Sequence, residues 1–165
     1  MKGHALSNRY VRPLIQADLR YLLTAFPVRE TDRIEVEEAC GLPFQVALKA
    51  TLSSSDNPHV IEVDGSVEGV FGVSDHSDGV GVPWLIASNA LFEKYARTFA
   101  KHSKLVTSRL FKPYDLLFNF VLKDNEASIK WLRFLGFQFF EKDWHFRPGG
   151  PPFLLFYKVG GEDVS

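Results

Sequence analysis

A chain of 165 residues has the length of one domain and can bury a substantial core. Its composition, 45% hydrophobic and 24% charged with a formal net charge of −1, is that of a globular protein and argues against a bulk nucleic-acid binder, while leaving room for a local basic face. The single cysteine, Cys40, excludes an internal disulfide, and no apolar run approaches the roughly 20 residues of a membrane span.

The first residues, 1–9, lack the apolar stretch of a signal peptide, so a cytoplasmic protein is expected. Tyr10, Val11 and Leu14 predict a short first strand, with Pro13 marking an edge or an end. Leu19, Leu22, Leu23 and Phe26 recur at helical spacing over residues 17–26, Asp18 suits the first turn, and Pro27 stops the helix. Thr31 is the expected cap of a second helix over 32–40, ended by Gly41. Its Asp32, Glu35, Glu37 and Glu38 form an acidic surface that reads as a solvated face or as a docking patch for a basic partner. A third helix is expected over 43–52, with Phe44, Val46, Ala47 and Ala50 making its apolar contacts, and the run 53–58 is a loop.

Strands follow. Residues 59–63 and 66–73 form a hairpin around Asp64-Gly65, a pair suited to a type I′ turn. The run 75–79 is the next turn; its Asp75, His76 and Asp78 lack further clustered ligands, so no metal is expected. Residues 80–87 make the central strand, where Gly81 and Pro83 predict a bulge or a break in pairing on one side. Ser88 or Asn89 caps a long helix through residue 111, with Phe92, Ala96, Phe99, Val106 and Leu110 inward and Lys94, Arg97, Lys101, Lys104, Arg109 and Lys112 outward. That basic face is a solvated surface, a site for an acidic protein or a site for a phosphate-bearing ligand. A buried strand is expected over 114–122, with Asn119 in a structural hydrogen bond. The last strands, 137–146 and 153–159, form a hairpin, and the polar tail from Gly160 is expected to be mobile. No repeat and no second domain is visible.

Residues 124–140 carry the most information. Asp124 or Asn125 caps a short helix, Ile129, Leu132 and Leu135 or Phe134 make its apolar face, and Gly136 ends it before a strand rich in Phe. The order Asn125, Ser128, Ile129, Leu132, Gly136, Phe137 resembles the last helix of GNAT superfamily N-acetyltransferases. That resemblance implies an α/β fold: a mixed, mostly antiparallel twisted sheet of six or seven strands, helices on both faces, and a V between the fourth and fifth strands that admits the pantetheine arm of acetyl-CoA. It places Trp84, Leu85, Ile86, Ser88, Asn89 and Asn125 at that cofactor cleft. It also exposes what is missing. The family's glycine-rich phosphate turn is replaced by Ala87-Ser88-Asn89-Ala90-Leu91-Phe92, strand 80–87 offers no general base, and Leu132 stands where active members often carry a thiolate-protonating Tyr.

Trp84-Leu85, Asn119 and Trp131-Leu132-Arg133-Phe134-Leu135-Gly136-Phe137 are further similar to a bacteriophage family, the small internal virion proteins of short-tailed coliphages and their GNAT-like relatives. This implies an accessory protein in virion assembly or genome delivery, without cofactor, in the host cytoplasm or packaged in the virion. Its partners would be other phage structural proteins. An acyl-CoA-dependent N-acetyltransferase with a non-standard cofactor site is the alternative.

Overall fold

The computed structural model describes residues 11–160. In chain order it comprises β1 (Val11–Pro13), α1 (Gln16–Thr24), α2 (Glu30–Cys40), α3 (Phe44–Ser54), β2 (His59–Val63), β3 (Ser66–Ser77), β4 (Val80–Ala87), α4 (Asn89–Glu93), α5 (Ala96–Leu110), β5 (Leu116–Leu122), α6 (Glu126–Phe134), β6 (Gln138–Trp144) and β7 (Phe153–Val159). The strands form one sheet in the order β1-β2-β3-β4-β5-β7-β6, antiparallel throughout except for β4 and β5. Helices cover both faces. Leu22, Phe26, Phe44 and Leu48 of α1 and α3 and the loop between α1 and α2 pack on Val60, Val70 and Ile86. On the opposite face Leu91, Phe99, Ile129 and Leu132 of α4–α6 pack on Ile61, Phe71, Val73, Leu117 and Val121.

Several local expectations hold. Asp64 and Gly65 both have positive φ, 52° and 81°, as a type I′ hairpin requires. Asn125 caps α6 by accepting from Ser128 N at 3.3 Å, and Gly136 has φ 97° at the helix exit. Leu135 takes the inward position, whereas Phe134 is 44% exposed.

Others need correction. Helix α2 begins at Glu30 with Arg29 in the cap position, so Thr31 lies inside it and caps nothing. In α3 the buried residues are Phe44, Ala47 and Leu48; Val46 and Ala50 point to water. The expected long helix is broken: α4 ends before Lys94 and Tyr95, and α5 restarts at Ala96, which is exposed and no part of the inner stripe. The expected turn at 75–79 is shorter, since β3 continues to Ser77 and Asp75 accepts a hydrogen bond from the Tyr114 hydroxyl at 2.6 Å. Strand β5 starts at Leu116 and is buried only at Leu117, Val121 and Leu122. The first strand of the closing hairpin is shorter than expected, Gln138–Trp144, and the hairpin joins the sheet through β7, which pairs with β5. Of the tail, Gly160 donates its amide to Asp115 O at 2.6 Å; the rest, like Tyr10, lies outside the described residues.

Candidate functional site

Strands β4 and β5 run parallel but pair only at their starts, Val80 with Leu116 and Gly81 with Leu117. Pro83 explains where pairing stops. Its carbonyl points toward β5, because Asn119 Nδ2 donates to Pro83 O at 2.8 Å. The nitrogen of the same residue faces the same way along a strand and carries no hydrogen, so the ladder has no donor there. Gly81, next to the break, lets the Tyr114 ring approach: a Cβ at Gly81 would meet that ring at 2.8 Å. Beyond Pro83 the strands diverge into a V. Asn119 is thus a structural bridge across the gap, and its Oδ1 accepts from Phe120 N at 2.7 Å.

A cavity of about 230 Å³ occupies the V and reaches both sheet faces. Trp84, Leu85 and Ile86 line it, together with Glu35, Thr51, Asn119, Ser128, Trp131 and Leu132. Trp84 is fixed by its Nε1, which donates to Ser55 Oγ at 2.6 Å. The other three cofactor-site candidates stand outside the lining. Ser88 caps α4, accepting from Leu91 N at 3.4 Å and donating to Glu68 Oε1 at 2.6 Å. Asn89 is exposed at the first position of α4. Asn125 is buried and donates to Glu35 Oε2 at 2.8 Å.

Helix α2 closes the open end of the V. Asp32 accepts from the amide of Ala87, the last residue of β4, at 2.7 Å. Glu35, one turn further along α2, accepts from the amide of Leu122, the last residue of β5, at 2.9 Å. Arg29 N donates to Ala87 O at 2.8 Å, so both backbone groups of Ala87 are taken. The Arg29 guanidinium, 6% exposed, makes a two-pronged bond to Asp32 at 2.6 and 3.1 Å, reaches Ser128 Oγ at 2.9 Å, and lies 4.2 Å from the Phe92 ring centroid. One buried guanidinium therefore ties α2 to α4 and α6 across the mouth of the V.

This corrects the acidic-face expectation. Asp32 is 1% exposed and Glu35 part-buried, Glu37 pairs with Arg33 and accepts from Phe44 N, and Glu38 pairs with Arg147. All four carboxylates have partners within the fold, so they do not form the free acidic face that was expected. Arg29 joins the closure of the V unannounced by the sequence, and Asp32, Glu35 and Ser128 take part in it in place of the surface and helix positions expected of them. Arg29, Asp32 and Glu35 follow one another at three-residue steps along one side of α2, but nothing local tells such a row from a solvated face.

Loss of water pushes the Glu35 carboxyl from an ordinary 4.5 up to about 8, and the nearby Asp32 charge adds to the rise. Burial pushes Asp32 upward too, against the pull of Arg29 and the Ala87 amide. A carboxyl raised in the fold keeps a proton that the unfolded chain has released. Its contribution is therefore intact at low pH and is lost as pH rises. Stability is expected to fall between pH 4.5 and about 8 from this group, and Glu35→Gln, which keeps an acceptor for Leu122 N, is expected to remove that part of the slope. Urea midpoints of both proteins across this range check it; equal slopes would contradict it.

A coenzyme A molecule does not fit these residues. Ala87 and Ser88 are buried at 0% and 2% exposure, the segment opening α4 has no glycine or cation, and the mouth amides of both strands are bound to α2.

No family model and no curated protein matches the sequence. Solved structures do match the fold. A GNAT-family acetyltransferase from Streptococcus pneumoniae superposes with a TM-score of 0.62 at 12% identity, covering 92% of this chain and 98% of its own. The ribosomal-protein-alanine N-acetyltransferase from Brucella melitensis gives 0.61 at 17% identity over 90% and 98%. Spermidine N-acetyltransferase from Vibrio cholerae, solved with CoA and spermine, gives 0.58 at 14% over 90% and 94%. Sheet order, the single parallel pair, its splay and these superpositions together establish that the chain has the GNAT fold.

Proposed function

We propose that this protein is a GNAT-fold accessory protein without acetyltransferase chemistry, acting for a bacteriophage in virion assembly or genome delivery. The observation that carries the non-catalytic part is the bonding of Ala87 N and Leu122 N to Asp32 and Glu35 of α2, which spans the end of the V that a cofactor would enter. The missing glycine turn and Leu132, 5% exposed at the position of the family's Tyr, support it. The phage role rests on the resemblance of Trp84-Leu85, Asn119 and the Trp131–Phe137 segment, and is tested by probing purified particles and assembly intermediates for the polypeptide. Its absence from both would contradict that role.

The chemical part is tested by thermal shift. A cofactor bound only to the native state stabilises it by about 2.7 kcal/mol at a hundredfold excess over its dissociation constant. The melting temperature is expected to stay flat up to millimolar acetyl-CoA; a saturable rise would overturn the reading.

The cavity between β4 and β5 favours a second reading, an acyl-CoA-dependent N-acetyltransferase with a non-standard site. The acyl arm would lie along Trp84, Leu85 and Ile86, and its phosphates near Ser88 and Asn89, with Asn125 released from Glu35. This requires α2 to withdraw both carboxyl groups. The volume of about 230 Å³ is also below the roughly 300–1,000 Å³ usual for ligand sites.

A further inference from the structure

The outer faces of α5 and α6 form one cationic surface. On α5 the exposed Arg97, Lys101, Lys104 and Arg109, with Lys112 just beyond its end, follow the helix along its 15 residues, which include no acid. Lys130 and Arg133 are exposed on α6, against one exposed acid of that helix, Glu126. None of these cations forms an ion pair among the described residues, whereas Arg12, Arg29, Arg33, Lys123 and Arg147 each hold a carboxylate. Like charges gathered this way repel one another unless a partner offsets them. Two apolar side chains stand in the same field: Leu105 is 59% exposed and Phe134 44%. The Lys104 ammonium lies 4.9 Å from the Phe134 ring centroid, so the two helices meet at this point.

We infer that this surface docks an acidic amphipathic helix of a partner protein, its carboxylates on the cations and its apolar side chains over Leu105 and Phe134. Arg97, Lys101 and Lys104 are one helical turn apart, the spacing at which a facing helix repeats its own acids. The apolar pair decides the class of partner. A phosphate backbone gains nothing from an exposed leucine, and single-stranded nucleic acid is held by successive stacking rings along a groove. Here one exposed ring is present, already faced by a lysine. A helix laid on an apolar seam with charged flanks uses both features. The inference gives the accessory role its partner chemistry, yet the two fail separately, because cofactor binding is read at the V and this docking at α5 and α6.

The test is fluorescence anisotropy with four labelled probes: a two-faced Glu/Leu helical peptide, its scrambled isomer, poly-glutamate and single-stranded DNA. The two-faced peptide is expected to bind best. Lys101→Glu with Lys104→Glu should weaken it about tenfold or more, since like charges then face each other. Leu105→Ser with Phe134→Ser should weaken the two-faced peptide severalfold and leave poly-glutamate unchanged. Lys49→Glu, an exposed charge on α3, should change nothing. Should a variant lose its helical circular dichroism, Arg97→Glu with Arg109→Glu tests the same surface. Equal binding of the scrambled isomer, tighter binding of DNA, or an equal effect of Lys49→Glu would overturn the inference.

Discussion

Asp32→Ala is expected to destabilise the protein by about 3–5 kcal/mol, the usual penalty for removing one partner of a buried ion pair. The substitution leaves the Arg29 guanidinium, 6% exposed, without its counter-charge, and strips the Ala87 amide of its acceptor. Ser128 Oγ and the Phe92 ring remain beside Arg29 without charge, and Glu35, the acid left in its field, is engaged with Leu122 N and Asn125 instead. Chemical denaturation measures the loss. A value below about 1 kcal/mol would mean that the pair is solvated, as ordinary surface bridges are, and that α2 is not anchored in the V.

Leu132→Ala is the second large effect, at about 2–5 kcal/mol. Leu132 is 5% exposed and packs with Val121, Ile129, Leu135 and Phe137, while its far side borders the cavity. Truncation enlarges a void that already exists beside this packed cluster. Leu132→Tyr is expected to overpack the same place and cost about 1–3 kcal/mol. A cofactor channel would instead accept the ring without loss, so wild-type stability of Leu132→Tyr would contradict the account.

What the sequence made legible was local. The cap at Asn125, the face Ile129, Leu132, Leu135 and the glycine exit are decided within one helix, and the Asp64-Gly65 turn within one hairpin. Pro83 announces the break in pairing because a missing N–H is a property of the residue itself. The plug was not legible. A helix reading Glu-Thr-Asp-Arg-Ile-Glu-Val-Glu-Glu has the composition of a solvated surface, and its carboxylates find their amides 55 and 87 residues away. Only the sheet's topology brings Ala87 and Leu122 to one side of α2. The split between α4 and α5 was hidden for a related reason: Lys94 and Tyr95 carry no breaking residue, and Phe92 and Phe99 keep a helical rhythm across the break.

Helix α2 holds the mouth of the V closed through its bonds to Ala87 and Leu122. The most direct measurement of this closure is an acetyl-CoA titration followed by the amide NMR signals of Ala87 and Leu122. Both amides are bonded to carboxyl groups of α2, at 2.7 and 2.9 Å, and their signals are predicted to stay in place up to millimolar ligand. Saturable movement of both signals together would mean that the cofactor displaces Asp32 and Glu35, and would contradict the account.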